Sequence, residues 1–568
     1  MTKSYLWLAA GATLTLAACS GEPPAAEDTS QAAQPTLAAS PGEQLEVPTF
    51  SEDYRDYLRT LASDEFEGRA PASKGEQLTA EFISEKFAQW GLKPYNAETG
   101  SYLQGVPLVK MIPYKVSEMS FSGAELAAFD YRTEMMAWSP RVQEQVSIEN
   151  SDVVFVGYGI VAPEYNWNDY EGLDVAGKTV VILVNDPGFD TQNPELFNGS
   201  AMTYYGRWTY KFEEAARQGA EAAIVIHETA PAGYGWGVVA GGSPVRFDLA
   251  RENNNMDRVK VEGWVTQVSA DALFATAGSS YAEMRKAAQA ADFEPIALPV
   301  ALSMQVDSKF EYLESPNIIG YIEGSERPEE HVIYMAHWDH LGVDPINETD
   351  PIYNGAQDNA SGTAGLMAMA QKFASLSEPP ERTIIFAAVG AEERGLLGSD
   401  WYANHPVLPL SQAVAGINMD VMNVYGPMRD MVVVGYGNSE LEELLAKYVE
   451  PQGRYLAPEP TPEAGSFYRS DHFNLAKRGV PMLYAKGGND HFELGREAIE
   501  LARAEYIRDA YHKPADEFDE NWDLRGVQQD LAVYFNIGNE LANSNAWPNW
   551  YEGNEFKAVR DETAAERE

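Results

Sequence analysis

Five short segments in the second half of the chain carry residue types that bind cations and move protons. The apolar run His331-Val-Ile-Tyr-Met-Ala336 ends in His337-Trp338-Asp339-His340. Imidazole is a good Zn²⁺ ligand, and a carboxylate two residues on can orient the ring by accepting its other N–H. Gly355-Ala-Gln-Asp358-Asn359-Ala-Ser-Gly362 opens a helical pattern, where an Asp taken alone is an ordinary cap. Thr383–Val389 runs into Gly390-Ala391-Glu392-Glu393-Arg394-Gly395. Adjacent carboxylates repel. A cation beside them removes that cost, so that one ligates while the other serves as general base on metal-bound water. Asp420 closes the run Ala415-Gly-Ile-Asn-Met, where a bare carboxylate near a sheet edge is expensive. Tyr511-His512-Lys513-Pro514-Ala515-Asp516 adds a further histidine in a loop.

Each segment alone is commonplace. Together they offer His337, Asp358, Glu393, Asp420 and His512 as five ligands, a set that suits two Zn²⁺ ions with one carboxylate between them. Three carboxylates against two divalent ions leave a net positive site that can hold hydroxide. The chain has one cysteine, so an iron–sulfur centre and a thiolate zinc site are excluded.

Positioning these residues requires a sheet. Strand patterns at His331–Ala336, Thr383–Val389, Val414–Val421 and Gly479–Ala485, with a helical pattern at Asn359–Leu376 between them, predict an α/β domain with a mostly parallel or mixed central sheet and helices on both faces. In such sheets chemistry gathers beyond the carboxyl ends of the strands. Lys74–Leu92 reads as an amphipathic helix with Leu78, Phe82, Ile83, Phe87 and Trp90 on one face. Residues 140–290 differ in texture, with strands at Val153–Gly159, Lys178–Val184 and Ala222–Ile226 and no dense set of ligands. They read as an insert, flanked by a first part at 49–139 and the main part at 291–568.

The ordered series of His337-x-Asp339, Gly-Ala-Gln-Asp358-Asn-Ala-Ser-Gly, Ala-Glu392-Glu393-Arg-Gly-Leu-Leu-Gly-Ser399, Asn-Met-Asp420 and Tyr-His512-Lys-Pro-Ala-Asp516 resembles the M28 family of metallopeptidases, and so does Ser470-Asp471-His472 before Gly479-Val-Pro481. The resemblance extends over most of the chain beyond residue 50. It implies a zinc-exopeptidase fold with two Zn²⁺ ions per chain. In it Asp358 bridges, His337 and Asp420 complete one site, Glu393 and His512 complete the other, Glu392 is the general base and Asp339 holds His337. The 140–290 insert looks like the β-rich protease-associated domain of relatives. The implied reaction is hydrolysis of the peptide bond next to a free N-terminus, with a phenol from Tyr468 or Tyr511 stabilising the oxyanion. Three rivals stand beside this aminopeptidase reading: a glutaminyl cyclase, which uses one zinc; a carboxypeptidase of the same family, which needs arginines for the substrate carboxylate; and a binding protein that has lost its metals. Arg469 could read a carboxylate, although a surface ion pair is the plainer reading, and His340, His472 and His491 read as structural or supporting.

The start of the chain reads as export machinery. Residues 1–18 have the cationic start and short apolar core of a signal peptide, and Leu16-Ala17-Ala18-Cys19 resembles a bacterial lipobox with Cys19 lipidated. Ser20 after the cysteine points to the outer membrane, and residues 19–48 have the composition of a disordered tether. The membrane would then be met only through a lipid anchor. A formal charge of −45 excludes a nucleic-acid partner, while 45% hydrophobic and 11% aromatic residues imply sizeable cores.

Overall fold

Apolar strand residues alternate between two cores, which is why the central strands read as continuous hydrophobic runs. The computed structural model describes residues 53–567; the expectations for residues 1–48, Cys19 included, lie outside them. The elements used below are, in order, α1 (Asp53–Leu61), α2 (Lys74–Gln89), β1 (Leu103–Val116), β2 (Met135–Trp138), β3 (Gln145–Phe155), β4 (Thr179–Leu183), α3 (Trp208–Arg217), β5 (Ala222–His227), β6 (Val261–Thr266), β7 (Ile296–Ile322), β8 (Arg327–His337), α4 (Ser361–Ala374), β9 (Arg382–Val389), β10 (Ala413–Asn418), β11 (Asp430–Val433), β12 (Tyr455–Pro458), β13 (Met482–Gly487), α5 (Arg496–Asp509) and α6 (Arg525–Ala542).

One sheet runs in the order β12-β11-β13-β10-β8-β9-β7-β3-β4-β5-β6-β2. Strands β9, β8, β10 and β13 are mutually parallel, so their carboxyl ends share one edge. Val332, Tyr334 and Ala336 of β8, with Ile384, Phe386 and Ala388 of β9, enter the core under α1, α2, α4 and α6. Ile333 and Met335, with Ile385, Ala387 and Val389, enter the core on the opposite face beside Tyr402 and Leu475. A strand's period of two buries both faces in this way. The fold is therefore mixed α/β, as the alternation of patterns predicts.

Strand β7 joins the two halves of the sheet. Its last residues, Ile318–Ile322, pair antiparallel with β9, while its first part pairs antiparallel with β3. Beyond β3 lies a second parallel stretch, β3-β4-β5-β6, over its own core of Val153, Phe155, Val181, Ile224 and Phe274. Among the described residues no helix is long and apolar enough to cross a membrane.

The helix expected from Asn359 begins instead at Ser361, because Asp358 (φ −113°, ψ 96°) and Asn359 (φ −132°, ψ 37°) have non-helical backbone angles. From there α4 is buried almost all round, held at its start by the Tyr54 hydroxyl donating to the Ser361 carbonyl at 3.0 Å. In α2, Ile83 and Phe87 are fully buried, and Leu78, Phe82 and Trp90 pack against the same core, as its periodicity predicts.

Candidate metal centre at the carboxyl ends of the strands

The parallel register sets the site. His337 is the last residue of β8 and lies opposite Val389, the last of β9, so the turn after β9 carries Glu392 and Glu393 past the His337 ring. Asp420 stands two residues beyond β10 on the same edge. Two clusters result: His337, Glu392 and Asp420, and His340, Asp358 and Glu393, each with one ligand atom per residue within 4.8 Å of the others. Asp358 faces both sides. Its Oδ1 lies 3.4 Å from His337 Nε2 and its Oδ2 lies 3.1 Å from His512 Nε2. His337 Nε2 is also 3.5 Å from Asp420 Oδ1, and His512 Nε2 is 3.3 Å from Glu393 Oε2. The structure thus brings together all five expected ligands and Glu392. His337, Asp358 and Asp420 are buried, whereas the His512 side chain is 39% exposed and forms the rim.

Electrostatics follow from this crowding. Burial alone would lower the His337 pKa, but Glu392, Asp358 and Asp420 raise it well above the usual histidine range. Burial likewise opposes, and Asp358 and Glu393 overcome, so that His512 is raised to about 10. Burial raises Glu392 well above the usual carboxylate range, with Glu393, Asp471 and Asp420 adding to it against His337. A cation would neutralise this excess of carboxylate and keep the imidazoles unprotonated. The cluster fits one on a second count. His340 Nδ1 stands 2.7 Å from Glu393 Oε1 without hydrogen-bond geometry, and both atoms, with His340 Nε2, have no hydrogen-bond partner. Buried polar atoms left this way are costly unless something binds them.

Backbone devices hold the cluster. Ala391 has a positive φ of 54°, folding the N–H groups of Glu392 and Glu393 onto Asp339, at 3.0 Å to Oδ1 and 3.4 Å to Oδ2. This revises the role expected of Asp339. His337 Nδ1 lies 3.2 Å from the Asp339 backbone carbonyl, while the carboxylate, 3.9 Å away, is committed to the turn. Asn359 joins three elements, its Oδ1 accepting from Gly362 and Val421 N–H and its Nδ2 donating to the Met419 and His337 carbonyls. Ser470 Oγ donates to Asp420 Oδ2 at 2.6 Å. Asp516 accepts the N–H groups of Gln357 and Asp358 at 2.9 and 3.0 Å. At Gly355, φ is +56° and an added Cβ would stand 2.4 Å from the His340 ring, so only glycine fits.

The tyrosines separate. Tyr511 stacks on His512, with ring centroids 3.9 Å apart, and its phenol is raised first by burial and then by Asp358, Glu393, Glu392 and Asp420. Tyr468 is not brought to the cluster; its hydroxyl donates to Glu555 Oε1 at 2.8 Å within an aromatic group including Tyr204 and Phe473. His472 and His491 are buried in supporting positions, and His340 stands in the cluster itself.

Sequence reasoning passed over Arg69. Its buried guanidinium donates to the carbonyls of Leu61, Trp338, Asn354 and Gly355, three of them 269 to 286 residues away, and so ties the His337–His340 turn to the Asp358 loop. No local pattern marks such a residue. Lys486, donating to the Asp420 carbonyl at 3.2 Å and to the Tyr484 hydroxyl at 3.1 Å, was likewise unmarked.

Residues 317–535 match the family model described as Peptidase family M28, a narrower span than the motif resemblance suggests. The probable glutamate carboxypeptidase LAMP1 of Arabidopsis thaliana is 42% identical over 115 residues, which are 20% of this chain and 15% of that protein. The aminopeptidase YwaD of Bacillus subtilis (strain 168) is 27% identical over 216 residues, 36% of this chain and 40% of that protein. A solved structure, the aminopeptidase from Aneurinibacillus sp. strain AM-1, aligns at 19% identity over 87% of this chain and 95% of that chain, with a TM-score of 0.48. The chain spans 15% of the length of the first curated relatives it matches.

Proposed function

We propose that this chain, whose residues 317–535 match the peptidase family M28 model, is a zinc-dependent aminopeptidase that removes N-terminal residues from peptides. The observation that carries the reading is the meeting of His337, Asp358, Glu393, Asp420 and His512 at one sheet edge with Glu392 beside them. His337 and Asp420 would hold one Zn²⁺, Glu393 and His512 a second, and Asp358 both, since its two oxygens face opposite histidines. His340 meets the other oxygen of Glu393 and would steady it. Bound zinc would polarise the scissile carbonyl and acidify a water.

The protein's own part is proton transfer and alignment. Glu392 takes the proton of the attacking water and delivers it to the leaving amine. Its raised proton affinity suits a group that must hold that proton between the two events. The Asp339 clamp on its N–H keeps its carboxylate aimed at the cluster. Tyr511, stacked on His512, would donate to the developing oxyanion.

The test is zinc content and aminoacyl-p-nitroanilide turnover, beside Glu392→Gln. Two zincs per chain, with turnover lost to chelator, is the expected result. In Glu392→Gln, zinc should be retained and turnover should fall roughly 100- to 10,000-fold. One zinc without peptide turnover, or a fully active variant, would sink the reading. Two further parts of it rest on sequence alone: residues 140–290 as a protease-associated insert bordering the substrate entrance, and Cys19 as a lipid anchor holding the protein at the outer membrane. Loss of fatty-acid labelling in Cys19→Ser checks the second.

A further inference from the structure

The insert reaches the turn that carries Glu392 and Glu393 from behind. Its short strand Arg246–Leu249 pairs antiparallel with β1, setting Leu249 opposite Leu108 and Phe247 opposite Lys110. Leu249 enters a small apolar core with Val106 and Leu108 of β1 and with Ala391 and Leu397, which flank the turn on either side. Phe247 packs against the same core, and the Arg394 guanidinium stands 5.4 Å from the centre of its ring. Arg394 in turn donates through Nη2 to the Leu341 carbonyl at 3.3 Å, one residue past His340. Two residues beyond the strand, Arg251 pairs with Asp248 at 2.8 Å and with Asp400 at 3.1 Å, the latter in the helix Leu397–Asn404 that follows the turn.

These contacts fall where the turn needs them. Ala391 has a φ of +54°, a left-handed conformation that costs free energy in a residue with a Cβ and persists only where the surroundings fix it. On the site side, Asp339 accepts the N–H groups of Glu392 and Glu393. On the far side, Ala391 is buried, and the insert supplies Leu249 and Phe247 to the packing there. Without that packing the turn would gain open conformations in which its two carboxylates leave the cluster. Small displacements of a reacting group are expensive in rate.

We infer that Phe247 and Leu249 of the insert are positioning residues for the Glu392–Glu393 turn, so that the insert acts on the reaction by bracing the general base. The kinetic part of the inference rests on the reading of Glu392 as that base; the brace itself does not.

The test begins with Phe247→Ala, which removes a half-buried ring from Arg394 and from the Ala391 core. Phe247→Trp keeps a ring beside the guanidinium. Amide hydrogen exchange reads the turn directly: in Phe247→Ala the Glu392 and Glu393 amides should exchange about 10-fold faster, with no such increase in β8, β9 or β10. Leu249→Ala opens the same core and should give the same local increase, which repeats the test where one variant fails to fold. In aminoacyl-p-nitroanilide turnover, Phe247→Ala should lower kcat about 10-fold with KM within about twofold, and Phe247→Trp should stay within about threefold of the parent. In a Glu392→Gln background Phe247→Ala should change kcat by less than about twofold, because the group being positioned is gone. Unchanged exchange at the turn overturns the inference, as does an increase spread evenly over the sheet, which marks plain destabilisation. A raised KM with kcat unchanged, or a loss that multiplies with that of Glu392→Gln, also overturns it. No turnover by the parent protein would overturn the aminopeptidase reading, while the exchange arm would still decide on the brace.

Discussion

Asp516→Asn isolates how the Asp358 loop is held. In the native fold Asp516 Oδ1 accepts the N–H of Gln357 at 2.9 Å and Oδ2 accepts the N–H of Asp358 at 3.0 Å. Asparagine offers one acceptor oxygen and turns an amide nitrogen toward the other donor. Whichever way the amide lies, one buried N–H is left unpaired, at a cost of about 1–3 kcal/mol. The surviving bond loses its charge assistance, about 1 kcal/mol more. The resulting 2–4 kcal/mol, roughly, falls on Asp358, whose two oxygens face His337 and His512. Loss of such supporting bonds lowers metal affinity by about 10- to 100-fold, the equivalent of about 1.4–2.7 kcal/mol, so that is the expected shift, with the rest of the cost falling on the stability of the loop. The assay is zinc retained after dialysis against graded chelator, with p-nitroanilide turnover measured again at saturating zinc. Retention should shift by that factor, and saturating zinc should restore turnover to within about threefold. Burial holds the native Asp516 up to about 6, so the parent protein should bind zinc more weakly as pH falls through 6, and the variant should lack that component. A folded variant with native zinc retention would refute the claim that Asp516 positions Asp358.

Arg69→Met strands four buried carbonyls and should destabilise the protein by about 4 kcal/mol in urea unfolding, after allowing for the burial cost no longer incurred. Arg69→Lys should not rescue it, because a compact ammonium cannot span the same four acceptors. Tyr511→Phe should lower kcat roughly 100-fold with little change in KM, whereas a raised KM with kcat unchanged would assign the phenol to substrate binding instead. Burial lowers His331 to about 4, with its Nδ1 3.1 Å from the Glu329 carbonyl. The unfolded chain takes up a proton below its ordinary pKa of about 6.5, while the fold refuses it until about pH 4. Stability from this site is therefore complete above about pH 6.5 and falls by about 3 kcal/mol on acidification to pH 4. Urea melts at pH 7 and pH 4 should show His331→Gln losing less than the parent by that amount; parallel losses would remove His331 from the acid response.

The chain's own residue order determined which side chains are candidates for chemistry. His337, Asp358, Glu392, Glu393, Asp420 and His512 are legible as candidates because metal ligation and proton transfer need particular side chains, and because apolar runs before most of them read as parallel strands with one common edge. What the linear order could not supply is the third dimension of that edge. The Asp339 carboxylate looks from sequence like the partner of His337, two residues away. The positive φ at Ala391 instead brings two N–H groups, 53 and 54 residues distant, to that carboxylate. Tyr468 and Tyr511 are equally plausible beside their motifs, and only packing separates one against Glu555 from the other against His512. Arg69 has no local signal at all. Ligand type is a property of a side chain and survives in sequence, whereas a hydrogen-bond partner or a neighbouring charge is a property of chain crossings, which only the folded sheet and its loops decide.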